Sequence, residues 1–444
     1  MILLFLFLFF VGIGGYSLPN PSKLLKIRSI DKKIFNISKP ATLNYVMIPI
    51  VGMVDTFWVS KMGSSNELAG AGSGDQIFTI FYVLSSFLPS IITPKISELN
   101  ILDKNDESKE LISISVLLTN LMGFISTLVM FFFSKDLVRA FIGDKSLIFN
   151  HANDYLKYRS LGMCASLTNA LIFSILRGYL DFNNAIKINL KSQLINVVLD
   201  PIFMKMYGLK GVAIASVLAD VYCSLNYINL LIKQNRYSKK ITKFFNKSLE
   251  LVKQGCFIQI KNTLNNLMYL YINKRIIEFD NTGILLAANI ILIKFLDLSF
   301  ITFSGLYSVS NIIIPQEKVV NNDREAKERL ILWSFVLGIV QSILLYNSQF
   351  VISLMTSDVN VINACKDLIN YIIFYQIVFG HSYILEGILQ GYQKFKDSGV
   401  ANIISLIPML GIIYISKNLG HLWLGGIVTT ILKCLYIYRV IYDK

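Results

Sequence analysis

Apolar stretches of about twenty residues recur from residue 39 to the end of this chain, each long enough to cross roughly 30 Å of hydrocarbon as a helix. They lie near 39–60, 68–94, 111–133, 155–177, 185–207, 211–232, 254–277, 284–314, 330–354, 364–392, 397–416 and 421–441, twelve in all, with glycine, asparagine, lysine and proline clusters between them. A segment in lipid must satisfy its own backbone hydrogen bonds, and the helix does so within one segment. The expected class is an all-α polytopic membrane protein. Only 16% of the residues are charged, against about a quarter in soluble domains.

The net charge of +14 does not point to nucleic acid, because the lysines and arginines fall between apolar runs and not along one helix face. They favour the side of the N-terminus, the even-to-odd connections and the C-terminus. Both termini are therefore expected on the cytoplasmic side, or the stromal side in a plastid. The five cysteines stand apart, without metal-ligand spacing. No P-loop or dinucleotide fingerprint is present, nor the aspartate-rich metal motif of a membrane transferase. The expectation is a non-enzyme without a cofactor, driven by a gradient.

Residues 1–38 read as a leader. "MILLFLFLFFVGIGG" is short for a spanning helix and places Gly12 and Gly14 where a signal peptidase accepts small residues. The following segment, with Lys23, Lys26 and Arg28, has no acidic residue before Asp31, as in an organellar transit peptide. Signal plus transit suggests a plastid envelope; a basic cytoplasmic tail in another membrane is the alternative.

The remainder repeats itself. "ELAGAGSGDQIF" is similar to "GILLAANIILIKF", "DKNDESKELI" to "NNDREAKERL", and "LRGYLDF" to "LQGYQKF". Two halves of six helices follow, at 39–232 and 254–444, in parallel topology because an even number of spans separates them. The basic segment 233–253 is the linker.

Several polar residues interrupt the apolar runs. Asp200 sits in "LINVVLDPIF", followed by Pro201, with Asn196 one turn earlier on the same helix face. Asp55 lies in the first span, six residues after Pro49, and either proline can act as a helix hinge. An intramembrane carboxylate is a functional candidate because charge at that depth needs a partner or a watery cavity. Two carboxylates in a dry pocket cannot both ionise cheaply, which suits them to taking up a proton or sodium ion. The second half carries Lys261, Lys294, Asp297 and Glu386 within spans, and an amide-rich run that includes Asn262, Asn265, Asn266 and Asn273. Lysines in a cavity favour an anionic guest, which phenylalanine and tyrosine rings would stack. The plainer alternative is that Lys294 neutralises Asp297 and Lys261 snorkels to an interface. His381 reads either as a titrating group or as a packed one.

The segments "PIVGMVDTFWVSKMGSSNELAGAGSGDQIF", "LRGYLDFNNAIKINLKSQLINVVLDPIFMKMYGLKGVAIASVLA" and "LEGILQGYQKFKDSG" together resemble the multidrug and toxic compound extrusion transporters, in the branch of the bacterial damage-inducible and plant plastid members. The resemblance implies two six-helix lobes forming a V around a central cavity. It also implies antiport, in which a small organic compound leaves in exchange for protons or sodium, by a protein expected to be monomeric. Carried over by position, Asp55, Asn196, Asp200 and the hydroxyl of Ser216 would bind the coupling cation, with sodium possible at Asp55 and Asp200. Lys261, Asn266, Lys294, Asp297 and Glu386 would line the substrate cavity. Phe173 stands where sodium-binding relatives carry an amide, which favours protons. The competing readings are a lipid-linked saccharide flippase of the same superfamily and an uncoupled facilitator.

Overall fold

A computed structural model describes residues 26–143, 147–238, 242, 244–280, 282–346, 352–353, 356 and 358–442, with side chains for all of these except 47–54 and 298. Most of the expected leader, residues 1–25, and the side chain of Pro49 lie outside that set. The helices are α1 (Ser29–Met62), α2 (Ser65–Ser85), α3 (Leu88–Ile101), α4 (Asn105–Phe132), α5 (Ser134–Ile142), α6 (Phe149–Arg159), α7 (Met163–Gly178), α8 (Phe182–Tyr207) and α9 (Leu209–Lys233), then α10 (Phe244–Phe279), α11 (Ile284–Val319), α12 (Asp323–Tyr346), α13 (Val359–Gly391), α14 (Phe395–Ile415) and α15 (Leu419–Tyr442).

Among the described residues each expected span falls on one of these helices or on a consecutive pair, with the last part of the ninth, 347–354, mostly outside the described set. Among the described residues, eight are long and apolar enough to cross a membrane, with α6 and α7 acting as one; α2 and α3, bent by 40°, make a ninth. Among the described residues the long helices α8 and α10, which carry Asp200 and Lys261, fall short. Lysines, asparagines and the carboxylate lower the apolarity of these two helices.

The sequence repeats recur in the backbone. Asp103 and Asn321 both adopt left-handed conformations, with φ of 54° and 56°, and so do Leu180 and Gln393, at 61° and 59°. The next N–H in each case reaches back five residues: Lys104 to the Leu99 carbonyl, Asn322 to Glu317, Asp181 to Leu176 and Lys394 to Leu389. This is the Schellman end of a helix, which closes its last carbonyls. Equivalent connections in the two halves thus terminate their helices in the same way.

The chain divides into two compact units, Leu43–Cys256 and a second made of Met1–Thr42 with Phe257–Lys444. The boundaries differ from the expected ones at two places. The turns of α1 from Ser29, grouped by sequence with the leader, belong to the second unit, because Asp31 is fully buried and paired with Arg329 of α12. The basic linker belongs to the first unit. Ser238 exchanges backbone hydrogen bonds with the Ser113 hydroxyl, and Lys247 meets Glu110 at 2.7 Å.

Within the first unit α8 packs on α9, α2 on α6, and α3 and α4 on α7. Gly123 of α4 permits close approach to α7, since a Cβ there would lie 2.8 Å from Cys164 Cα. One buried cluster joins Val59, Tyr155, Met204, Leu209 and Val212. Val59 and Met204 lie one turn beyond Asp55 and Asp200, so the packing that seats α1 against α8 also sets the two carboxylates face to face. In the second unit α13 is central, packed on α11, α12 and α15. It is apolar nearly all round, as a helix surrounded by others must be, and Glu386 is carried on it.

Candidate functional site

Two polar sites are present, one in each unit. In the first, the Asn196 side-chain amide donates to Asp55 Oδ1 at 2.6 Å and to Asp200 Oδ2 at 3.3 Å. The two carboxyl groups also interact directly. Asp200 is 0% exposed and Asn196 2%. Asn196 Oδ1 and Asp200 Oδ1 are buried without hydrogen-bond partners. Two buried acceptors with no donor among the described residues are costly in a dry interior, and a proton or a cation would satisfy them.

The other predicted groups fall differently around this centre. Ser216 is buried but donates to the Val212 carbonyl of its own helix at 3.2 Å, so its hydroxyl is not joined to the carboxylates. Pro201 lies within α8, where it leaves the Val197 carbonyl without an intrahelical donor immediately beside Asp200. Phe173 lies under the Arg177 guanidinium at 5.0 Å, and Arg177 donates to Tyr45 at 2.7 Å. An aromatic ring supplies no oxygen for a hard cation at that position.

Sequence reasoning missed a charged group beside the pair. Arg159 pairs with Asp220 at 2.9 Å, stacks over Phe78 at 4.2 Å, and interacts electrostatically with Asp55 and Asp75. Asp220 also accepts from Ser166 at 2.6 Å. Arg159 is the last residue of α6, at its junction with α7.

The second site is a cavity of about 440 Å³ lined by residues from α10, α11, α13, α14 and α15. At its polar end Glu386, 3% exposed, accepts from Lys261 Nζ at 2.9 Å through Oε2. Its Oε1 accepts from Asn402 Nδ2 at 2.9 Å and meets the Lys433 ammonium. Lys433 also donates to Asn402 Oδ1 at 3.2 Å. The walls are Phe300, Tyr375, Phe379, Tyr383 and Trp423.

This arrangement corrects three expectations. Lys261 does not snorkel to an interface; it is buried and paired with Glu386. Asn266 is exposed and turns away from the cavity, which Asn262, Asn265 and Tyr269 line instead. Lys294 is also outside the lining: it pairs with Asp297 at 3.3 Å, one turn along α11, and only Asp297 faces the cavity. His381 is packed, its two nitrogens engaged by Ser334 at 2.7 Å and Tyr438 at 2.9 Å, its ring stacked on Phe335. Lys433 and Asn402 were overlooked, although "TTILKCLYIY" places Lys433 within an apolar run as plainly as Lys261.

Comparison with known proteins agrees with this architecture. The sequence matches the MatE family over residues 40–202 and 258–415. It is 22% identical over 462 residues to Protein DETOXIFICATION 43 of Arabidopsis thaliana, covering 88% of this chain and 86% of that protein. It is 25% identical over 215 residues to Protein DETOXIFICATION 44, chloroplastic, of the same plant, covering 46% and 40%. DNA damage-inducible protein F of Escherichia coli (strain K12) is 24% identical over 234 residues, covering 51% and 48%. Among solved structures, a multidrug resistance MATE family transporter of the MOP superfamily in an outward-facing conformation superposes with a TM-score of 0.80 at 19% identity, covering 94% of this chain and 97% of that one. A MOP superfamily transporter from Pyrococcus furiosus Vc1 (DSM3638) gives 0.79 at 19% identity, covering 96% and 99%. The chain is a member of the MatE family of multi-pass membrane transporters.

Proposed function

We propose that this transporter is a secondary active antiporter that exports a small organic compound in exchange for protons. The observation that carries the reading is the single Asn196 amide shared between Asp55 and Asp200, next to two buried acceptor atoms that lack donors. Such a group holds one proton between two carboxylates readily and two negative charges poorly. Loading it relieves repulsion and shifts the balance between conformations that open to opposite sides. Phe173 on α7, where the resemblance implies an amide in sodium-binding relatives, favours protons over sodium. The substrate site is the cavity of the second unit, and its two buried lysines with their aromatic walls suit an organic anion with a ring system.

The plastid envelope is the proposed location, with both termini on the stromal side. The basic, transit-like segment before Asp31 and the chloroplastic relative support it. Counterflow in proteoliposomes under separate proton and sodium gradients tests the reading. Flux driven by the proton gradient alone is expected, and flux driven by neither gradient would identify a facilitator.

A further inference from the structure

Lys261, Lys433 and Glu386 are 9%, 8% and 3% exposed, so two ammonium groups and one carboxylate share a dry pocket. A structural ion pair needs one lysine. The second leaves a net positive charge at membrane depth, which is costly unless an anion arrives to share it. Asp297, the other carboxylate lining the cavity, is exposed and held by Lys294. Trp423 is 8% exposed, lines the cavity, and its indole N–H has no hydrogen-bond partner. Trp423 lies ten residues before Lys433 on α15, about 15 Å along the helix axis.

We infer that Lys261 and Lys433 form the binding site for the carboxylate of an aromatic organic anion, and that Glu386 is the resident anion with which that carboxylate competes. The inference rests on the transport reading above and adds the chemistry of its substrate site. Glu386 already uses one oxygen for each lysine, the bidentate arrangement an incoming carboxylate would adopt. Asn402, bonded to both Glu386 and Lys433, holds the pair in register while the anion exchanges. The ligand body stacks among Phe300, Tyr375, Phe379, Tyr383 and Trp423. A cavity of about 440 Å³ is within the ordinary range for ligands of this size.

The test is equilibrium binding to the full chain in detergent, with 4-hydroxycinnamate, its methyl ester and tyramine as probes. The acid should bind, the neutral ester at least about tenfold more weakly, and the cationic amine not at all. Glu386→Gln removes the competitor and should tighten acid binding by about tenfold or more. Lys433→Met leaves the neutral Lys261–Glu386 pair, which favours folding, and should abolish acid binding. Equal binding of acid and ester, or wild-type affinity in Lys433→Met, overturns the inference, and these two results decide even where Glu386→Gln does not fold. Gradient-driven flux of tyramine without acid binding would remove the anion site and leave the transporter. Acid binding with the predicted preferences but no gradient-driven flux of any probe would keep the site and remove the antiporter.

Discussion

Arg329 grips Asp31 through two nitrogens, Nε and Nη2, each 2.7 Å from a different carboxylate oxygen. Trp333 Nε1 and the Arg28 backbone N–H complete the carboxylate's partners, both at 2.7 Å. Both charges are buried, at 0% and 2% exposure. Removing one partner of such a pair strands the other, typically at 3–5 kcal/mol. Asp31→Ala should therefore lower the unfolding temperature sharply and release the first turns of α1, measured by thermal unfolding in detergent and by proteolysis near Arg28. An unchanged melting profile would mean that these turns do not depend on the pair.

The left-handed Leu180 between α7 and α8 predicts a stabilising substitution. A side chain at φ 61° carries a steric penalty of about 1–2 kcal/mol that glycine avoids, offset by glycine's larger loss of freedom on folding. Leu180→Gly should leave stability unchanged or raise it by up to about 1 kcal/mol. A clear loss would assign the Leu180 side chain a packing role greater than its backbone strain.

Asp181, in the same connection, makes stability depend on acid pH. Burial raises its affinity for protons, but hydrogen bonds from Gln234 and Asn184 and the Arg236 charge outweigh that and leave its pKa lowered. A depressed folded value gives stability that is complete above the unfolded carboxyl value, near 4, and is lost as pH falls through the lower folded value. Asp181→Asn should destabilise the protein at neutral pH and narrow its difference from wild type below about pH 4. A constant difference across that range would mean that the carboxylate charge is not what stabilises the connection.

The Ser216 hydroxyl faces its own backbone at the Val212 carbonyl. Side-chain hydrogen bonds within membrane helices average about 0.6 kcal/mol, less than a factor of three. Ser216→Ala should therefore leave gradient-driven flux within about threefold of wild type. A tenfold loss would show that the hydroxyl turns toward Asp55 and Asp200 during the cycle.

The apolar runs were legible because a membrane span must be long, apolar and self-bonded, and among the described residues they lie on helices or consecutive helix pairs. The carboxylates Asp55 and Asp200 were legible for the opposite reason, as charges where apolar residues should stand. Other relationships left no local trace. Asp31 and Arg329 meet across 298 positions, and a lone acidic residue after a basic stretch reads as the end of a leader. Asn266 was placed in the cavity because a run of amides does not reveal which face of α10 turns inward. Asn402 is uncharged and Arg159 lies near the start of the run 155–177, and packing alone places each beside a carboxylate.

The account rests on Asp200 as a group that must gain and lose charge. Its most direct test is gradient-driven counterflow into proteoliposomes with Asp200→Asn beside wild type, which keeps the side chain's shape and removes its titration. Wild-type flux that follows the imposed proton gradient, and a variant with passive exchange but no gradient-driven accumulation, is the predicted result. Wild-type accumulation in the variant would contradict it and make the Asp55–Asn196–Asp200 group structural.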